Sequence, residues 1–172
     1  MEQRLIRNGG YEMITIIEGD ITKTDKDIIV QQVNARGFMA SGLAKTIMQR
    51  YGNVRKEYQA FRKKQLKTVK TDENLLGSVN YVDVYDGKII ANVFGQVDIR
   101  KDRYDKNVYT DKKALLHGIE QVKIKAEALK LSVAIPTYIG CGLANGSWEE
   151  IKPGIEMIFE NSTVDVVFYH YR

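Results

Sequence analysis

Two glycine-rich corners, each leaving an apolar strand-like run and entering a helix-like one, restrict what this chain can fold into more than any other feature of its sequence. The first is Asn34-Ala35-Arg36-Gly37-Phe38-Met39-Ala40-Ser41-Gly42-Leu43-Ala44, lying between the run Asp27 to Val33 and a helical run from Leu43 to Tyr51. Small side chains let a ligand approach the main chain, and the first turn of a helix brings unpartnered amides and a partial positive charge. That combination suits an anion, phosphate above all. A strand-loop-helix corner can equally be a plain tight turn, so this stretch does not decide alone. The second corner, Thr137 to Gly146, follows the buried-strand run Ser132 to Pro136 and precedes a helix opening at Ser147. Two such corners can face each other across the carboxyl ends of neighbouring strands, where open α/β sheets bind their ligands. A diphosphate between them would meet amides on both sides.

The rest of the chain alternates in the same way. Met13 to Glu18 is rich in β-branched residues and reads as the first strand; residues 27 to 33 read as a central strand buried on both faces. Leu43, Ile47 and Tyr51 recur at helical spacing before Gly52, and Val54 to Leu66 forms a second helical run with Tyr58 and Phe61 turned inward. Gly77 to Tyr85 alternates as a half-exposed strand, Asp86-Gly87 is a hairpin turn, and Lys88 to Phe94 returns antiparallel, which makes the sheet mixed. Gly95 to Tyr109 is polar and charged, a long exposed loop of the kind that serves as a lid or recognition segment. Thr110 and Asp111 start a helix with Ala114, Leu115, Ile119, Val122, Ala126 and Leu129 on its buried stripe. A helix with Ile151, Ile155, Ile158 and Phe159 and a last strand from Val164 to Tyr169 complete a three-layer α/β/α sandwich.

Length and composition agree with one such domain. With 172 residues, 44% of them apolar, the chain can bury a sizeable core, and we expect a short N-terminal extension over residues 1–12 followed by a single domain over 13–172. No apolar run reaches the roughly 18 residues that span a bilayer, and no signal-peptide core is present, so a soluble, cytoplasmic protein with no membrane partner is expected. The one cysteine, Cys141, allows no internal disulfide framework. His117 and His170 are far apart, and no Cys or His spacing suggests a metal site or calls for a cofactor. The net charge of +4 raises a polyanionic partner. Arg55, Lys56, Arg62, Lys63, Lys64, Lys67 and Lys70 nevertheless read better as the solvated side of a helix than as a nucleic-acid surface, because no aromatics interleave with them on strand spacing.

Gly19-Asp20-Ile21 after the first strand, Gln32-Val33-Asn34 before a small-residue loop, Met39 to Ala44, and Ile135-Pro136 leading into Ile139-Gly140-Cys141-Gly142-Leu143 with Trp148 beyond resemble, in order and spacing, the macrodomains that bind ADP-ribose. The resemblance implies that Asp20 accepts from the adenine amino group and that the Ile21 amide completes adenine recognition. It implies that Asn34 touches the distal ribose, and that Ala40, Ser41, Gly42 and Leu43 with Ile139, Gly140, Cys141, Gly142 and Leu143 cradle the diphosphate. An aromatic near the end of the last strand, Tyr169, would pack on the adenine. Each residue also has a plainer reading: Asp20 as a turn cap, Tyr169 as a core aromatic, Asn34 as a strand-end partner, Cys141 as a small buried filler.

Activity varies within the family. The compact form and the Gly-Cys-Gly-Leu corner look close to the branch of ADP-ribose ester deacylases and ADP-ribosylglutamate hydrolases. That branch, however, uses a lysine and an aspartate where this chain has Gln96 and Ala144, and neither of those can ionise. What remains resembles proteins processing ADP-ribose 1''-phosphate, so the expected activity is a phosphatase removing that phosphate, with Asn34 and Gln96 orienting it and Asp98, Asp102 or Asp105 available as a carboxylate. A non-catalytic ADP-ribose reader, a hydrolase of ADP-ribosyl esters and, more remotely, a nucleic-acid binder are the alternatives.

Overall fold

Parallel pairing of apolar runs dominates the computed structural model, which describes residues 5–6 and 12–171. Most of the expected 1–12 extension therefore lies outside the described residues; of it, Leu5–Ile6 (β1) pairs antiparallel with Glu12–Met13 (β2). The main sheet comprises Thr15–Glu18 (β3), Ile28–Asn34 (β4), Val79–Asp83 (β5), Ile89–Gln96 (β6), Val133–Pro136 (β7) and Val166–His170 (β8), in the order β3-β8-β7-β4-β6-β5. Only β5 runs antiparallel, hairpinned to β6 as the Asp86-Gly87 turn predicts.

Helices cover both faces, which is why β4 opens on the apolar run Ile28 to Val30 and is buried at every position except the half-buried Gln32. Gly42–Arg50 (α1) and Val54–Val69 (α2) close one face over Ile29, Val33, Ile90, Phe94 and Ala134, with Ile47, Tyr51 and Tyr58 fully buried beneath them. Lys112–Leu129 (α3) and Trp148–Phe159 (α4) close the other over Val30, Val93, Ile135 and Phe168. The molecule is thus the mixed α/β/α sandwich read from the sequence. One stripe assignment fails: Leu129 is 56% exposed. The helix ends there, Lys130 adopts a left-handed φ of 54°, and the turn back toward β7 packs Leu131 against the core instead.

The sheet opens where the chain changes direction. Strand β4 keeps its register with β6 from Ile28 to Val33 and, after a one-residue shift, pairs Asn34 with Gln96, but with β7 it shares only Ile28↔Val133 and Ile29↔Ala134. Beyond those pairs the two strands diverge, and both glycine corners leave from the divergent ends. Strands β5 and β6 are added on one side of β4 and the parallel strands β7 and β8 on the other, so the gap is a topological switch point.

Candidate functional site

A cleft of about 700 Å³ fills that gap, within the range of small-molecule sites. Its walls are Asn34, Phe38 and residues 40–44 of the first corner, residues 136–140 and 142–144 of the second, Cys141 being left out of the lining, and residues 99–103 of the long loop, with Gln31 and Gln32 of β4 below.

Asn34 shapes the first corner from inside. Its Oδ1 accepts from the amides of Arg36 (3.1 Å) and Phe38 (3.2 Å), and its Nδ2 donates to the Phe38 carbonyl (2.7 Å). The buried Tyr58 hydroxyl donates to the Asn34 backbone carbonyl, and burial pushes that phenol well above its ordinary pKa, so it stays a donor. One Nδ2 hydrogen of Asn34 remains for another acceptor. The loop then delivers Ser41 and Gly42, the latter at a φ of 58°, to the start of α1, whose first-turn residues Gly42, Leu43 and Ala44 line the cleft.

In the second corner, left-handed Tyr138, Gly140 and Asn145 (φ 60°, 72° and 56°) curl the chain. The Cys141 amide donates back to the Tyr138 carbonyl (2.8 Å), so that amide belongs to the turn, while Gly142 and Leu143 line the cleft. Cys141 itself is half-buried with its thiol pushed up to about 11 by burial, and stays protonated. Ala144 contributes its carbonyl, which accepts from the amides of Tyr109 (2.8 Å) and Thr110 (3.2 Å) and ties the long loop to the corner.

Beneath the corner lies a side chain, Gln32, that the sequence places in a motif but to which it gives no role. Gln32 Nε2 donates to Gln96 Oε1 (2.8 Å) and to Thr110 Oγ1 (2.9 Å), and Thr110 in turn donates to the Gly140 carbonyl (2.6 Å). Its Oε1 fills the space beside Gly95 and Gly140, where a Cβ would come within 2.2 and 2.9 Å. A polar residue in a buried strand must find partners, and that rule was the available signal. Gln96 in turn donates one Nε2 hydrogen to the Asp98 carbonyl (2.8 Å). It stands on the cleft as a strut.

The distal end is basic. Arg100, Lys101 and Arg103 line it with Asp102. Of the three loop carboxylates read from the sequence, only Asp102 faces the cleft. Asp98 binds Arg36 Nε (2.6 Å) outside it, and that guanidinium holds its carboxyl below the usual range. Asp105 accepts from the Lys101 amide, the Tyr109 hydroxyl and Asn107, which depress it strongly.

Asp20, Ile21 and Tyr169 are not in the cleft wall but line up beside it, at the carboxyl ends of β3 and β8. The Thr137 amide donates to the Tyr169 carbonyl (2.8 Å), the Gly19 amide to the His170 carbonyl (2.9 Å), and the turn Ile21–Lys23 packs against β7. Asp20 Oδ1 caps that turn, accepting from the Thr22 amide (2.9 Å) and hydroxyl (2.7 Å). Burial raises the Asp20 pKa, but these bonds with the Lys23 and Arg50 charges outweigh it, leaving the group below its ordinary value. Arg62 of the basic helix is not free: it pairs with Asp72 (2.9 Å) and donates to the Ala35 carbonyl, pinning the first corner to α2. Among the described residues, no helix is long and apolar enough to cross a membrane.

No protein-family model matches the sequence, and no curated protein matches it. Solved structures do. The chain is similar to a protein of unknown function from Bacteroides thetaiotaomicron, with 28% identity, 91% of this chain and 97% of that one covered, and a TM-score of 0.77. It is similar to the macrodomain of Mycobacterium tuberculosis DarG, with 25% identity, coverage of 91% and 97%, and a TM-score of 0.71. It shares the fold of Thermosipho africanus DarTG, solved in complex with ADP-ribose, at 18% identity over 91% of this chain and 41% of that one, with a TM-score of 0.71. With two glycine corners meeting over a switch point in a sheet of this order, the chain has the fold of the macrodomains to which it is similar.

Proposed function

We propose that the cleft binds ADP-ribose or a derivative of it, with the diphosphate between the two corners. The observation that carries the reading is the convergence of two backbone cups, a hundred residues apart in sequence, on one cleft of suitable volume. The ADP-ribose complex of the Thermosipho africanus relative supports it. In this reading the amides of Gly42, Leu43, Gly142 and Leu143 hold the diphosphate oxygens, with Ala40, Ser41, Ile139 and Gly140 forming the floor. Asp20 Oδ2 accepts from the adenine amino group beside the Ile21 amide, Tyr169 borders the base, and the spare Nδ2 hydrogen of Asn34 meets the distal ribose. Calorimetric titration with ADP-ribose, AMP and ATP tests this: ADP-ribose binds most tightly, and equal heats for all three would sink it.

A second reading, removal of a 1''-phosphate from the distal ribose, is favoured by the Arg100, Lys101 and Arg103 wall. Cations beside a departing phosphate stabilise developing charge, and Asp102 is the ionisable group in position to activate water. Here Asn34 and Gln96 act by holding the walls. Inorganic phosphate released from ADP-ribose 1''-phosphate, and lost in Asp102→Asn, is the expected result. Tight binding of ADP-ribose with no phosphate release would leave a reader.

A further inference from the structure

Helix α2 holds the first corner by three side chains. Gln59 Nε2 donates to the Gly37 carbonyl (3.0 Å), Arg62 Nε donates to the Ala35 carbonyl, and the Tyr58 hydroxyl reaches Asn34. The first two hold loop backbone. Tyr58 differs, because its hydroxyl lies within bonding distance of both the Asn34 carbonyl and Asn34 Oδ1, the latter at 3.2 Å.

A phenol is not needed here to fill space. Tyr58 is fully buried and its ring meets Phe94 at 5.7 Å between centroids, a contact that phenylalanine would make equally well. A hydroxyl in an apolar core is costly unless it is bonded, and both acceptors that this one finds belong to one residue. Asn34 is buried as well, and its Oδ1 gathers the Tyr58 hydroxyl with the amides of Arg36 and Phe38. A flipped amide would set Nδ2 against those same three donors, so the side chain has one orientation, with Nδ2 toward the Phe38 carbonyl. Asn34 lines the cleft and Tyr58 does not.

We infer that Tyr58 is a positioning residue whose hydroxyl fixes the Asn34 side chain for contact with the distal ribose, and so sets a preference for ADP-ribose over ADP. The inference rests on the ADP-ribose reading and deepens it, because selection for the second sugar then depends on a residue outside the cleft. The corner backbone has further supports in Gln59, Arg62 and the Ala35 amide, which donates to the carbonyls of Gln96 (2.9 Å) and Val97 (3.1 Å). Loss of the hydroxyl alone therefore acts on the Asn34 side chain and not on the cup for the diphosphate.

The experiment titrates the unaltered protein, Tyr58→Phe, Asn34→Ala and the double variant with ADP-ribose and with ADP in the calorimeter, and melts each protein. ADP carries the base, the proximal ribose and the diphosphate but no second sugar. Tyr58→Phe binds ADP-ribose about fivefold more weakly, as expected for one net hydrogen bond, and binds ADP as the parent does. Asn34→Ala weakens ADP-ribose in the same selective way, and adding Tyr58→Phe to it costs nothing more, since a residue acting through Asn34 then has nothing to position. A merely structural role would lower the melting temperature without separating the two ligands. Equal weakening of ADP-ribose and ADP in Tyr58→Phe, no weakening of either, or a further loss in the double variant would each overturn the inference while leaving the ADP-ribose reading intact. If Asn34→Ala does not fold, the ratio of the two affinities in Tyr58→Phe decides alone. Absence of ADP-ribose binding in the parent protein would remove both.

Discussion

Asp20 can cap a turn and read a base at the same time because a carboxylate has two oxygens, and the capping bonds use Oδ1. Asp20→Asn separates the two roles. The amide oxygen still caps Ile21–Lys23, so the melting temperature should change little, but the other position becomes a donor facing the adenine amino group. Affinity for ADP-ribose should fall about tenfold, since a buried hydrogen bond to a charged acceptor is replaced by donor against donor. Equal affinity of the two proteins in calorimetry would leave Asp20 as a cap only. Gly95 gives a second test. An added methyl would stand 2.2 Å from Gln32 Oε1 and 2.8 Å from its Cδ, so Gly95→Ala must displace the side chain that links Gln96, Thr110 and the second corner. Urea denaturation should show a loss of about 2 kcal/mol, typical of overpacking. At this scale the sequence was only partly legible. Glycines, Asn34 and Asp20 announce themselves by type, whereas the importance of Gln32 depends on which neighbours the fold brings to it, and a single polar letter does not carry that.

The secondary elements were the most legible layer, because period and punctuation set them locally. The run Val54 to Leu66 became α2, the Asp86-Gly87 hairpin joined β5 to β6, and Asp111 caps α3 by accepting from the Ala114 amide at 2.9 Å. The long loop was legible as a loop but not in its attachments. Its base is closed by the Gln96↔Thr110 bridge and the Ala144 carbonyl, and it is latched to the first corner, outside the cleft, by Arg36, which bonds both Asp98 and Asp72. Those partners are 36 and 62 residues from Arg36, beyond any local signal. The Arg36–Asp98 pair is half exposed and screened by solvent, so breaking it should scarcely alter stability. It should instead free the loop. In Asp98→Asn, limited trypsin digestion should cut faster at Arg100, Lys101 and Arg103 while the melting temperature holds. Unchanged digestion would mean that the Ala144 and Thr110 contacts fix the loop without the latch.

For the molecule as a whole, acid sensitivity and ligand response follow from the same layout. Asp20, Asp86, Asp98 and Asp105 all have carboxyls below the ordinary value of 3.8. A depressed folded pKa contributes stability that is present above the unfolded value and lost as pH falls through the folded one. Melting temperature should therefore be level near neutrality and decline below about pH 4. The sheet has its weakest seam between β4 and β7, which share two register pairs where β4 and β6 share seven. A diphosphate held by amides on both sides of that seam would join the α1 side of the fold to the α4 side at the place where the backbone ladder does not. At a hundred times its dissociation constant, a ligand stabilises a folded protein by about 2.7 kcal/mol, which for a chain of this size is about 5–10 °C. We expect ADP-ribose to produce that shift, with hydrogen exchange slowed at residues 40–44 and 139–143 together. Slowing at only one corner would mean the ligand sits against one cup. Slowing around the smaller hollow of about 390 Å³ lined by Asp27, Lys130 and Asp165, at the opposite end of the sheet, would move the site altogether.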